Sequence, residues 1–334
     1  MKYNFDKEAF DTIIATIESS KAIGIYMHAS PDGDCIGSAL ALYLFLTKLG
    51  KKATVFSPDL KTKDMYSQKY YSLPGFEDIN KTDIKQFDLN IGVDLGDENR
   101  LGDAAKVQFS LSQKSIVFDH HATHVDFAKT ITYRESTSVS TTQILFKFMM
   151  YYKPEYMDVE IASNLYIGLI TDSGLFTYDT TSSETLQVAA DIKEYGVNIE
   201  NLSRIFFKEQ TKEVFELKNR VFSKAKFFEN DRIVFIVYTK EDFKATNTTE
   251  NNTEGLISSL IEIKNVDIAI SISEVASRKY KVSIRSKGAC LSSNIAQKFG
   301  GGGHARAAGC RICGTLQYVT DTLINAAKEE INGH

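Results

Sequence analysis

The triplet Asp119-His120-His121 follows directly on the apolar run Ser115-Ile116-Val117-Phe118. The run reads as a short buried strand, and the triplet stands where that strand meets solvent. Carboxylates and imidazoles in such a place are costly unless something uses them. The pattern recurs. His28, Asp32 and Asp34 follow the apolar stretch Ala22–Met27, Asp94 follows Asp88–Val93, and Asp172 closes the apolar segment before it. A single Asp at a strand end is usually a turn former or a helix cap. Six or more Asp and His gathered at four such ends point to one shared site. Asp with His and without Cys suits divalent ions that accept oxygen and imidazole, manganese above zinc. Gly33 frees the turn between Asp32 and Asp34, so two carboxylates can be aimed at neighbouring positions. Two ions about 3.5–4 Å apart would clamp a phosphoryl oxygen, generate hydroxide near neutral pH and stabilise an in-line leaving oxygen. The chemistry these residues predict is phosphoester hydrolysis.

The elements that must position them read as follows. Asp6 can cap a helix over Lys7–Ser19, with Phe10, Ile13, Ile14 and Ile17 at helical spacing. Strand Ala22–Met27, the turn His28–Asp34, a helix over Cys35–Leu49 closed by Gly50, and strand Lys52–Phe56 form a βαβ unit, which implies a parallel sheet. Phe87–Val93 repeats the design and ends at Asp94-Leu95-Gly96-Asp97. Helices are expected over Val139–Tyr151 and Val159–Ile170, and from the Ser182/Ser183 cap to Glu194. In an open parallel α/β sheet, ligands bind beyond the carboxyl ends of the strands, where these Asp and His residues fall.

From Ile199 to Phe222 the pattern is helical and charged, with no Gly or Pro. The organisation expected is an α/β domain over 1–195, a helical connector over 196–223 and a smaller α/β domain over 224–334. The last has strands at Ile233–Tyr238, Val266–Glu274 and Lys279–Ser286, a polar loop at Asn247–Thr253, and helices near Thr253–Ile263, Ser292–Phe299 and Tyr318–Ile331. Its run Gly300-Gly301-Gly302-Gly303-His304 offers backbone amides unobstructed by side chains, which can approach a phosphate closely. Arg285-Ser286 ends a strand, and Arg306 lies just past the glycines. Arginine suits bidentate phosphate contact, and histidine can hydrogen-bond or stack on a base.

The chain has 334 residues, 43% of them hydrophobic and 25% charged, enough for a sizeable core. Its net charge of −4 excludes a non-specific nucleic-acid coat, which needs a broad basic surface. No apolar stretch forms a signal-peptide core or approaches the ~18 residues of a membrane span. Four cysteines, Cys35, Cys290, Cys310 and Cys313, fit a reducing compartment, so a cytoplasmic protein is expected. Cys310-Arg311-Ile312-Cys313 is a C-x-x-C pair without a second pair, read as two small apolar residues on or near a strand.

His28-x3-Asp32-Gly33-Asp34-x-x-Gly37-Ser38, Val93-Asp94, Asp119-His120-His121 and Thr171-Asp172-Ser173-Gly174 together resemble the four signature motifs of the DHH phosphoesterase superfamily. Phe299 to Gly309 resembles the glycine-rich motif of its DHH-associated substrate domain. Length and the Gly-Gly-Gly-His ending are similar to the NrnA-type group of bacterial nanoRNases, which also dephosphorylate pAp and have relatives acting on cyclic-di-AMP or pApA. The resemblance implies two manganese ions. One is held by His28, Asp32 and Asp94 and the other by Asp34, Asp94, His120 and Asp172, with Asp94 shared. It implies that Asp119 orients His120, that His121 faces the scissile phosphate, and that Arg285, Ser286, Gly301, Gly302, Gly303, His304 and Arg306 hold the far end of a short substrate. The expected activity is hydrolysis of short oligoribonucleotides (nanoRNA) and of pAp, with cyclic-di-AMP or pApA as the alternative, no long duplex, no membrane, and a homodimer. An inorganic pyrophosphatase is disfavoured by the glycine-rich motif, and a non-catalytic binder by the complete ligand set. Arg100 is a candidate phosphate contact. His124, where relatives carry Asn, and Cys35, where a small residue is usual, depart from the pattern.

Overall fold

The computed structural model describes residues 3–58, 68–122, 125–253 and 255–333, with Gln68 and His304 described by their backbones. His124 lies outside the described residues. The chain divides into two compact units, Met1–Lys208 and Glu209–His334.

The first unit runs α1 (Lys7–Glu18), β1 (Ala22–Tyr26), α2 (Gly33–Lys48), β2 (Lys52–Phe56), β3 (Leu89–Val93), α3 (Asp103–Leu111), β4 (Lys114–Asp119), β5 (Ile131–Arg134), α4 (Thr141–Tyr152), α5 (Val159–Asp172), α6 (Ser183–Glu194) and α7 (Ile199–Ser203). Five strands form a wholly parallel sheet in the order β2-β1-β3-β4-β5. Side chains alternate across it. Ile23 and Ile25, Leu89 and Ile91, and Ile116 and Phe118 join the larger core under α1, α2, α4 and α5. Tyr26 and Val117 face the other side, in a smaller core with Leu101, Ala105 and Phe109. A sheet buried on both faces explains why its strands read as apolar runs rather than as alternating ones.

Caps set the helix starts, at Lys7 as expected and at Gly33 rather than Cys35 for α2. Asp6 accepts from Ala9 N at 3.1 Å, and Asp32 accepts from Cys35 N at 3.1 Å. In this unit a helix and a strand escaped the sequence reading, and in the second unit the strands Lys226–Phe228, Gly302–His304 and Ala307–Cys313 and the helix Lys240–Ala245 did too. Helix α3 buries only Ala105 and Phe109, too thin an apolar stripe to stand out, and β5 has only four residues.

The second unit comprises α8 (Lys212–Phe222), β6 (Lys226–Phe228), β7 (Ile233–Tyr238), α9 (Lys240–Ala245), α10 (Ser258–Ile261), β8 (Ile268–Ala276), β9 (Lys279–Ser286), α11 (Ser292–Gln297), β10 (Gly302–His304), β11 (Ala307–Cys313) and α12 (Leu316–Asn332). Its six strands lie in the order β10-β11-β9-β8-β7-β6, antiparallel except for β7 with β8. Alternation again feeds two cores. Ile268, Ile270 and Ile272 pack with α11 and α12, while Val234, Ile236 and Ala269 pack with α8 and α10. The residues between 196 and 223 carry α7, a π-helical turn over Arg204–Lys208 that continues it, and α8, with a break where Thr211 caps α8. The helix expected over Thr253–Ile263 is shorter, Ser258–Ile261.

Cys310 is buried and Cys313 exposed on one strand. Their odd separation puts them on opposite faces, so they form neither a redox pair nor half of a metal clamp. No helix among the described residues is long and apolar enough to cross a membrane.

Candidate metal centre

Strand order 2-1-3-4-5 reverses direction between β1 and β3, and the carboxyl ends of those two strands border a crevice. His28 lies two residues past β1, Asp94 directly past β3, and Asp119 ends β4. Helices supply the rest, Asp34 from the first turn of α2 and Asp172 as the last residue of α5.

Asp94 sits among three imidazoles. Its Oδ2 is 3.4 Å from His28 Nε2, and its Oδ1 is 3.5 Å from His120 Nε2 and 3.6 Å from His121 Nδ1. His120 Nε2 also lies 3.3 Å from Asp172 Oδ2 and 3.9 Å from Asp34 Oδ2. His28 with Asp94, Asp94 with His120 and His121, and Asp34 with His120 and Asp172 form groups whose donor atoms all fall within 4.8 Å of one another. Cys35 joins the first group. It is fully buried, and its Sγ accepts from His28 N at 3.4 Å. Asp32 is exposed as the α2 cap and lies outside these groups.

Asp94 has a left-handed backbone, φ 58°. An aspartate tolerates this better than most residues, and the turn comes just where the strand must deliver a carboxylate into the crevice. Asp34 has no exposed surface, yet its carboxylate is met at both oxygens by helix-terminal amides: Thr141 N donates to Oδ2 at 2.7 Å and Thr142 N to Oδ1 at 2.9 Å. The Thr141 hydroxyl donates to Asp94 Oδ1 at 3.3 Å. The sequence reading missed these threonines. The signal was present, because Ser140-Thr141-Thr142-Gln143 has the capping-box spacing that starts α4 at Thr141.

Asp119 is expected to orient His120; a hydrogen bond at its carboxylate runs to the neighbouring ring. Its Oδ1 binds His121 Nδ1 at 2.6 Å. Residues two apart on an extended chain share a side, and Asp119 is the last residue of β4. The first and third members of the triplet therefore pair, and the second turns towards Asp172.

The electrostatics ask for positive charge. Burial, then the Asp94 charge, pushes the Asp34 carboxyl up to about 7. Burial, then Asp34, raises Asp172 well above the usual range. Burial also works against a charged Asp94, but the His28 hydrogen bond and the His121 and His120 charges outweigh it and hold Asp94 well below that range. Burial disfavours a charged His120, yet its pairing with the Asp172 carboxylate lifts the ring to about 10. Asp172 also stands at a helix C-terminus, against the macrodipole. Buried oxygen and imidazole donors that hold one another in strained charge states are the donor set a hard divalent cation fits.

In the second unit, Arg285 pairs in register with Ala307, and Ala307 with His304, so these positions form one cross-strand row. Gly302 and Gly303 lie in the edge strand β10, with Gly300 and Gly301 just before it. A Cβ at Gly301 would meet Gly309 O at 2.2 Å, and one at Gly303 would meet Ala307 O at 2.5 Å, while Gly302 faces open space. Arg306 donates to Cys290 O at 2.8 Å. The Ser286 hydroxyl is engaged inside the unit, accepting from Ser292 N and from the Ser292 hydroxyl at 3.0 Å each.

A parallel α/β domain that gathers buried Asp and His at its strand ends, followed by a second sheet domain, defines a class of phosphoester hydrolases. The chain belongs to the DHH family: the model of that family's N-terminal domain matches residues 22–169, and the DHHA1 domain model matches residues 233–333. It is a DHH-family phosphoesterase. It is 28% identical to a Thermus thermophilus protein named bifunctional oligoribonuclease and PAP phosphatase NrnA, over 92% of this chain and 90% of that one. A Bacillus subtilis protein of the same name is 23% identical over 90% and 92% of the two chains. Among solved structures, an exopolyphosphatase-related protein from Bacteroides fragilis superposes with TM-score 0.88 and 26% identity, covering 97% of this chain and 96% of that one.

Proposed function

We propose that this phosphoesterase uses two manganese ions to hydrolyse short oligoribonucleotides to mononucleotides and to remove the 3′-phosphate from pAp. The observation that carries the reading is the position of Asp94, with separate carboxylate oxygens turned to His28 and to His120. One ion is assigned to His28, Asp32 and Asp94, and the other to Asp34, Asp94, His120 and Asp172. For Asp32 this requires the carboxylate that caps α2 to serve both tasks. When bound, such a pair polarises the phosphoryl group and supplies a nucleophile near neutral pH. The chain's own residues do the rest. Asp119 fixes the His121 ring through Nδ1, which leaves Nε2 to hand a proton to the leaving oxygen.

Catalysis is assigned to 1–195. The grip on the far end of the substrate is assigned to 224–334, through Arg285, Arg306, His304 and the amides of Gly301, Gly302 and Gly303, with Ser286 supporting the turn that carries them. Few contacts hold a short ligand, which favours oligonucleotides of two to five residues. The names of the relatives, matched over about nine-tenths of their length, support the same substrates. A homodimer in the cytoplasm completes the proposal, and a monomeric mass in solution would remove the dimer.

The experiment is a substrate panel of pAp, pApA, cyclic-di-AMP, a five-nucleotide RNA and linear polyphosphate, run after chelation with manganese or magnesium restored. The reading predicts that the RNA is shortened and pAp becomes AMP, with manganese the better activator. Turnover of cyclic-di-AMP or polyphosphate with the RNA untouched would overturn it.

A further inference from the structure

Arg100 is the cationic side chain set against the His28 edge of the centre. It lies in the 3-10 turn Glu98–Leu101, which three contacts fix. The Asp97 carboxylate accepts from Asn99 N at 2.7 Å, Leu101 is fully buried in the smaller core, and Ala29 N donates to Arg100 O at 2.6 Å. The last contact ties the Arg100 backbone to the residue after His28. Its guanidinium Nη2 stands 3.1 Å from His28 Nε2, the ring nitrogen that faces Asp94. Among the described residues, that guanidinium makes no ion pair with any carboxylate. It is half-exposed. Four of its five N–H donors therefore have no described partner, beside a cluster that includes the Asp94 carboxylate.

Two physical points follow. A cation bound at His28 Nε2 takes the space the guanidinium now fills, and the two positive charges repel unless an anion lies between them. The planar fork of arginine matches phosphoryl oxygens, and its charge persists at every working pH. We propose that Arg100 binds a non-bridging oxygen of the phosphoryl group under attack and stabilises the charge that builds there. In that step water adds to phosphorus, and the P–O ester bond breaks. The leaving oxygen takes a proton from His121, and the proton lost by the water restores His121 through solvent. Arg100 keeps its own protons throughout. The proposal rests on the metal assignment above and not on which phosphoester is the natural substrate.

The test compares wild type with Arg100→Ala and Arg100→Lys. Manganese binding is measured by calorimetry, and turnover is measured with bis(p-nitrophenyl) phosphate or with whichever panel substrate the wild type hydrolyses. Inorganic phosphate serves as the competing anion. Arg100→Ala should bind manganese at least as tightly as wild type, because a competing cation is gone. Its kcat/KM should fall about 100-fold, and inhibition by phosphate should weaken about tenfold or more. Arg100→Lys keeps the charge without the fork and should recover part of the loss. Unchanged kcat/KM in Arg100→Ala would overturn the proposal, as would a loss of turnover matched by an equal loss of manganese affinity. If Arg100→Ala does not fold, Arg100→Lys decides: a drop of about tenfold in kcat/KM supports the contact and wild-type turnover refutes it. A wrong substrate assignment alters the panel but leaves these comparisons intact.

Discussion

Thr141 holds two carboxylates of the centre at once, giving its amide to Asp34 at 2.7 Å and its hydroxyl to Asp94 at 3.3 Å. The N-terminus of α4 thus fixes the spacing between an α2 carboxylate and a β3 carboxylate. Helix N-terminal amides favour a negative partner, so Asp34 can stay buried before any cation arrives.

Thr141→Val keeps the amide and the shape but removes the hydroxyl. One hydrogen bond to a charged group is worth about 1.5–3 kcal/mol at most, and the 3.3 Å length puts this one at the low end. Manganese affinity should fall about tenfold, and Thr141→Ser should restore it. Calorimetry on the three proteins checks this. Equal affinity in Thr141→Val would show that the hydroxyl does not position Asp94.

Gly168 lets α5 pass close to α2 and α4. A Cβ there would lie 2.4 Å from Thr142 Cγ2 and 2.5 Å from Asp34 Oδ1. Helix propensity alone favours Gly168→Ala by about 1 kcal/mol, but relieving such contacts in a packed core costs about 1–3 kcal/mol. The variant should show a lower urea midpoint and weaker manganese binding, because the displaced group is a carboxylate of the centre. A midpoint above wild type would show that the packing relaxes freely.

The second unit carries its own buried carboxylate. Asp242 accepts from Arg220 Nε at 2.6 Å, Lys224 Nζ at 2.7 Å and the Thr239 hydroxyl at 2.8 Å. Burial opposes its charge, but Lys224, Thr239 and Arg220 outweigh burial and bring the carboxyl down to about 2. A carboxyl lowered on folding stabilises the fold above its unfolded value near 4, and the gain disappears as pH falls through about 2. Both cationic partners are about half exposed, so the contribution is on the order of 1–2 kcal/mol. Urea midpoints should drop between pH 4 and pH 2 in wild type. Asp242→Asn should lie lower at pH 7 and lose less on acidification. Parallel pH curves for the two proteins would contradict this.

The sequence made the centre legible because its Asp and His residues sit where apolar runs stop, and the run-then-Asp pattern survives without any coordinates. What it hid depends on chain direction and long-range packing. Apolar spacing cannot say whether Asp119 reaches His120 or His121, since that turns on the course of the backbone past β4. Leu175 and Phe176 have left-handed backbones just after Asp172, φ 56° and 65°, and bulky residues give no local sign of that. Arg100 reads from the sequence as a candidate phosphate contact, but nothing in its spacing shows that the Ala29–Arg100 hydrogen bond brings its turn beside His28. The glycine run suggested open amides, but β11 lies close against Gly301 and Gly303, while Gly302 faces open space.

Asp94 is the carboxylate on which the proposal converges, and Asp94→Asn tests it most directly. Asparagine tolerates the left-handed backbone that Asp94 adopts, so the fold should persist while the shared negative charge is lost. Metal content by mass spectrometry and hydrolysis of pAp and a five-nucleotide RNA are measured side by side in wild type and variant. The account predicts two manganese ions per wild-type chain, fewer in Asp94→Asn, and turnover in the variant reduced by about a thousandfold or more. A folded Asp94→Asn protein that keeps both ions and wild-type turnover would contradict it.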